Sequence, residues 1–207
     1  MIYNILLIIV IISIGLYGKS FYTKQNVKSH LGGKISLPKI FWLMYTIYSW
    51  FFIPAFLLIW ITDPFIKITL IGFLILFWVR GILELFMLYK WKNWRPPYGI
   101  SHDALCLIFL LVMQIGHLGH LNFNFQGDNG LAMTWIHITT LCMVIEIYYA
   151  YAFFNLVKGK TMGEDGVWFA DPEDPTYKRI NRITTTFNWP LYGHIIYMTW
   201  MLLTSHL

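Results

Sequence analysis

Charge is what this chain has least of. Asp, Glu, Lys and Arg make up 12% of its 207 residues, about half the ~25% usual in soluble domains. That shortage excludes a soluble globular fold, and 57% hydrophobic residues with a mean hydropathy of +0.58 point to a membrane protein. Cysteine is nearly missing as well: Cys106 and Cys142 lie inside apolar runs and form no CxxC pair. This argues against a disulfide framework, a zinc knuckle or a thiol relay, and both are expected to be small core residues. Neither internal repeats nor low-complexity segments occur. The net charge of +5 comes largely from lysines and arginines between the apolar runs, where they set topology and do not imply a nucleic-acid partner.

What is present is a series of apolar stretches of membrane-spanning length. At roughly 20 residues per span, the chain holds one all-α bundle of about six transmembrane helices and leaves no room for a separate soluble domain. The spans are expected at 2–17, 40–61, 65–89, 103–121, 132–157 and 185–206. The first resembles a signal-peptide core in length, but no lysine or arginine precedes it and LYGKS after it has no small-residue cleavage pattern, so it is read as a retained helix. Pro54 should kink the second span. Asp63-Pro64 should cap and start the third, and Asp174-Pro175 should repeat that arrangement ahead of a basic helix leading into the sixth. The basic residues cluster after spans one, three and five, which predicts those loops on the cytoplasmic side and both termini on the other.

The most informative stretch is residues 73–106, where Arg80 and Glu84 sit inside an apolar helix. An ionised side chain in a bilayer is costly, at least ~2.5 kcal/mol near the centre, so such groups face a bundle interior, pair, and mark functional pathways. Four residues apart, the two share a helix face. Glu146 lies ~16 Å from the cytoplasmic end of its span, close in depth to Arg80 and to His194 on the sixth, so the three are expected to meet. A carboxylate, a guanidinium and an imidazole at one depth suit acid/base chemistry. An interhelical lock that only holds the bundle together is the competing reading, and for Arg80 the two weigh equally. Asp103 has two readings too: a cap beside Ser101, or the first member of an inward face shared with Gln114 and His117.

Further candidates surround this centre. Trp50 and Trp78 are deep enough to line a pocket for a ring-bearing or polyisoprenoid molecule; the other tryptophans suit interfacial anchoring. Arg95 and Asn188 are substrate-binding candidates at the same end of the bundle. Trp168 and Phe169 form an apolar insert in the polar loop 158–184, expected to cover the mouth of the site. The acidic residues of that loop, Glu164, Asp165, Asp171, Glu173 and Asp174, could ligate a divalent cation, but capping accounts for Asp174 without one. His117, His120 and His137 gather near the other surface; no dense histidine box or Glu-x-x-His pair is present, so no metal or cofactor is assigned.

The Arg80-x-x-x-Glu84 helix, with Glu146-Ile147-Tyr148, resembles small membrane isomerases of the emopamil-binding type, and small membrane terpene cyclases share the same logic. The resemblance covers two short patches, has Arg80 where that family would have a histidine, and adds a span. It implies intramembrane acids acting on an apolar substrate. The expected function is therefore a membrane enzyme catalysing proton-driven isomerisation or cyclisation of an isoprenoid- or sterol-like molecule in a cytoplasm-facing cavity. Glu146, Glu84, Asp103, Arg80 and His194 are its catalytic candidates, and its partners are the lipophilic substrate and membrane lipid. A proton-coupled transporter is the alternative, followed by a structural, haem- or metal-binding subunit of a larger complex.

Overall fold

A computed structural model describes residues 2–23, 37–91, 96–119, 127–158 and 175–204. These residues form seven α-helices: α1 (Ile2–Thr23), α2 (Leu37–Ile47), α3 (Ile53–Trp60), α4 (Pro64–Leu85), α5 (Pro96–Gly119), α6 (Gly127–Val157) and α7 (Pro175–Thr204). A π turn, Tyr48–Phe52, joins α2 to α3 in one rod, and a second, Phe86–Lys90, extends α4. The chain is thus an all-α membrane bundle of six rods, with no strand among the described residues. Five rods are long and apolar enough to cross a bilayer. The sixth, α7, starts with Lys178, Arg179 and Arg182 and packs its later part against α2 and α6.

Local chemistry explains the helix starts. Asp63 accepts the Ile66 N–H at 2.8 Å and Pro64 takes the first helical position of α4, as expected. Pro175 likewise opens α7, although Asp174 lies outside the described residues. The fourth span corrects the expectation: it begins at Pro96, not at Asp103. Proline is tolerated in a first helical turn, where its missing N–H would have no partner anyway. Asp103 is therefore two turns inside α5, fully buried, and is not a cap.

The core runs between α2, α3, α4, α5, α6 and α7 and is dominated by large side chains such as Tyr45, Trp50, Phe73 and Trp135. The broadest helix pairing is α5 with α6, where the Gln114 amide donates to Thr140 Oγ1 at 2.7 Å. Along α4 and α5 two glycines receive two phenylalanines reciprocally, Gly72 facing Phe109 and Gly116 facing Phe65. A side chain at either glycine would collide with the opposing ring, which is how small residues let membrane helices approach. By contrast α1 lies mostly exposed along the outside, held by Asn4 Nδ2 donating to the Leu203 carbonyl at 3.5 Å and by Tyr3 against Trp60.

Pro54 breaks its span by a π turn. Within it the Ile53 N–H reaches back five residues to the Tyr48 carbonyl. The next bond in that register would run from residue 54 to the Ser49 carbonyl, but proline has no N–H. Trp135 on α6 supplies the missing donor, its indole N–H meeting Ser49 O at 2.6 Å. Trp135→Phe leaves that buried carbonyl unpaired, so stability should fall by ~1–3 kcal/mol in detergent unfolding. Adding Pro54→Ala, which restores a backbone donor, should recover part of the loss. If the double variant is no better than the single one, the indole bond does not substitute for the missing N–H.

Candidate functional site

Arg80 stands on α4 about 15 Å from Lys90, the end of the π turn that extends this helix. Its Nε donates to Glu84 Oε1 at 3.3 Å, and its Nη1 donates to Asp103 Oδ1 on α5. Asp103 is 0% exposed, and its second oxygen has no hydrogen-bond partner among the described residues. Glu146 on α6 is 9% exposed and lies within electrostatic range of Arg80. Three carboxylates from three helices therefore face one guanidinium in the bundle interior.

Beside this cluster, His102 Nε2 lies 3.0 Å from the Leu76 carbonyl on α4. A carbonyl only accepts, so Nε2 carries a proton and donates, which leaves Nδ1 to face the other neighbours. That nitrogen is 3.6 Å from the Cys106 thiol one turn on, and 3.9 Å from Asp103 Oδ1.

A second polar centre lies deeper, on α2. The buried Tyr45 hydroxyl is 3.4 Å from His194 Nδ1 on α7 and 3.5 Å from Cys142 Sγ on α6. Cys142 and Glu146 are four apart on α6 and interact electrostatically, so α6 links the two centres. Ser49, one turn beyond Tyr45, and Thr139 on α6 are fully buried; the Ser49 side chain interacts with the Tyr45 hydroxyl, and the Thr139 hydroxyl has no hydrogen-bond partner among the described residues. An aromatic wall closes one side: Trp50 makes edge contacts with Tyr45, Phe73 and Phe77 at centroid distances of 6.4 to 6.5 Å.

The candidate residues thus divide. Arg80, Glu84, Asp103 and Glu146 are brought together, while His194 is held apart at Tyr45 and reaches Glu146 through Cys142. Trp50 is buried in the core, whereas Trp78 is 53% exposed on the outer side of α4 against Phe51, so the two do not share a pocket wall. The reason is angular: Trp78 is two residues before Arg80, nearly the opposite side of a helix whose charged side faces inward. Asn188 is buried with its amide donating to the Pro38 carbonyl at 3.1 Å, away from the charge cluster. Arg95, Trp168, Phe169 and the acidic candidates Glu164, Asp165, Asp171, Glu173 and Asp174 lie outside the described residues. His117 stacks on Phe65 and His137 bonds the Met133 carbonyl, and His120 lies outside the described residues. Among the described residues, no group of three or more His, Cys, Asp or Glu side chains is placed to hold a metal ion.

Sequence reasoning did not single out Tyr45, Ser49 or His102, and it read both cysteines as small core residues, which are buried here. A faint signal existed, since Tyr45/Ser49, His102/Cys106 and Cys142/Glu146 are all four apart, the spacing that puts side chains on one helix face. The Tyr45 ring also borders an apolar groove. A groove of about 380 Å³ runs between α1, α2 and α7, lined by Ile14, Met44, Tyr48, Ile195 and Trp200 among others, with Tyr45 in its inner wall. Comparison with protein-family models, curated proteins and solved structures returned no match.

Proposed function

We propose that this multi-pass membrane protein is an enzyme that moves protons on and off a lipophilic substrate, with Glu146 as the proton-transfer group. The supporting observation is the crowding of acids at Arg80: Glu84 and Asp103 bond it directly and Glu146 on a third helix lies within electrostatic range, inside an apolar bundle. Ionisable side chains held together inside a membrane bundle commonly mark proton pathways. Glu84 and Asp103 bond Arg80 directly and so position it. Glu146 is the acid that interacts with Cys142 and, through it, with Tyr45 and His194.

In this reading a proton is delivered to one carbon of a double bond and another is withdrawn from a neighbouring carbon. This is isomerisation, or cyclisation when the cation is captured internally. The substrate is isoprenoid- or sterol-like, in keeping with the aromatic wall, whose ring faces stabilise developing positive charge. The test is solvent exchange. Purified protein in lipid nanodiscs, incubated in D2O with the neutral lipids that co-purify with it, should place carbon-bound deuterium in one of them. Retention of every C–H bond would sink the reading.

We further place both termini on the non-cytoplasmic side, on the strength of the basic residues after spans one, three and five. A thiol introduced at Asp128 should then react with an impermeant reagent added outside the cell. Labelling only from the cytoplasm would invert the topology.

A further inference from the structure

We infer that the basic first turns of α7 bind the phosphate headgroups of anionic glycerolipids, through Arg179 and Arg182 with Lys178 beside them. This surface is separate from the charge cluster at Arg80, and the inference does not depend on the proton-transfer reading.

The contacts of α2 fix the level of these cations. Its partners on α7 advance together with it, Pro38 with Asn188, Phe41 with Tyr192 and Tyr48 with Thr199. On α6 the order is reversed, Tyr45 meeting Cys142 and Ser49 meeting the earlier Trp135. So α7 runs parallel to α2, and α6 runs against both. Tyr45 also meets His194. Lys158 lies 16 residues after Cys142 and Lys178 lies 16 residues before His194, which puts both ~24 Å from Tyr45 toward the same end of the bundle. A bilayer's hydrocarbon takes about 20 helical residues, and α7 has 30. The surplus is at its start: the turns ahead of Thr184 extend past the start of α2, and they carry the cations.

These cations point away from the bundle. Arg182, Trp189 and Ile196 are seven apart and share one helix face, and Lys178 and Arg179 fall within about 60° of it. All five are exposed, Trp189 at 76% and Ile196 at 69%. The opposite side of the helix carries Thr184, Asn188 and Leu191, all buried against the bundle. The outward stripe therefore passes from cations to an indole ~10 Å along the helix, and to an isoleucine ~10 Å beyond that. That is the order of headgroup, interface and acyl chain. The hydroxyls of Thr185 and Thr186, at the level of the cations, donate to the carbonyls of Asn181 and Arg182.

Charge decides which headgroup this face takes. A guanidinium meets phosphate oxygens in a two-pronged fork. A zwitterionic headgroup brings its own ammonium to its phosphate, whereas an anionic one leaves the phosphate to the protein. Each basic side chain near an anionic surface strengthens binding by about fivefold, and residues 175–182 contain no Asp or Glu. The acids that precede them in sequence, Glu173 and Asp174 nearest, are the competitors for the same cations.

Native mass spectrometry of the full chain, released from detergent micelles carrying equal amounts of phosphatidylglycerol and phosphatidylcholine, reads which lipid it retains. The wild type should retain phosphatidylglycerol in preference, and less so as salt rises, since these charges are exposed. Arg179→Gln combined with Arg182→Gln should weaken phosphatidylglycerol binding by roughly 25-fold, the product of two cations, and leave phosphatidylcholine unchanged. Arg179→Lys combined with Arg182→Lys keeps the charge and should keep most of the preference. Lys67→Gln, near the start of α4 at the other end of the bundle, should change nothing. Equal retention of the two lipids by the wild type would mean that the chain's own acids occupy the cations, and would overturn the inference. Loss of the preference in the lysine pair as fully as in the glutamine pair would overturn it too, because charge would not be what the lipid reads.

Discussion

Arg80→Met should lower the stability of the bundle by ~3–5 kcal/mol, visible as an early thermal transition in detergent. That range is typical when one partner of a buried ion pair is removed and the other charge stays behind. Here the charge left behind is the Asp103 carboxylate, 0% exposed, whose second oxygen has no hydrogen bond among the described residues. Glu84 is partly exposed and loses less. The pair also bridges α4 and α5, so the loss should fall on that helix contact first. Adding Asp103→Asn to Arg80→Met removes the stranded charge and should recover a large part of the stability. An unchanged transition in the single variant would show that the ion pair contributes little to holding these helices.

Glu146→Gln should behave in the opposite way: turnover falls by ~10²-fold or more, and stability hardly moves. Glutamine keeps the shape and hydrogen-bonding capacity of the side chain but cannot deliver a proton, and loss of a positioned acid/base group typically has an effect of that size. Arg80 meanwhile keeps its direct partners Glu84 and Asp103, so no unpaired cation is created. Carbon-bound deuterium incorporation should disappear with turnover. If the variant unfolds early yet turns over normally once folded, Glu146 is a structural counter-charge and the catalytic assignment is lost.

The fold class, the number of rods and most helix starts were legible because apolar length and Asp-Pro punctuation are local properties of the chain. Asp63, Pro64 and Pro175 needed no knowledge of neighbours. The fourth span was misjudged at its start because Pro96 and Pro97 read equally well as a rigid loop, and only the tertiary setting turned them into a first helical turn. That shift turned Asp103 from a possible cap into the buried partner of Arg80. The depth of Glu146 followed from counting residues, but which helix lies beside which did not, so its distance from His194, with Cys142 and Tyr45 between them, could not be foreseen. Trp78 illustrates the same limit, since depth alone does not say which way around a helix a ring points.

The π turn at Tyr48–Phe52 also sets the rotational phase of everything after it in the rod. Each residue of an α-helix advances the side chains by ~100°, and a π turn accommodates about one residue more than an α turn. Removing one residue from this segment should therefore let α2 run into α3 as an ordinary helix with the downstream faces kept close to their present direction, whereas straightening the turn with every residue kept would rotate them by about that angle. Ile53, Phe56 and Leu57 now point into the core, and they do so together with Tyr45 and Trp42 because the π turn takes up the extra residue. Related sequences carrying a one-residue gap here should show the hydrophobic pattern of α3 displaced by one position relative to α2, or lack the Trp135 equivalent that occupies the freed carbonyl.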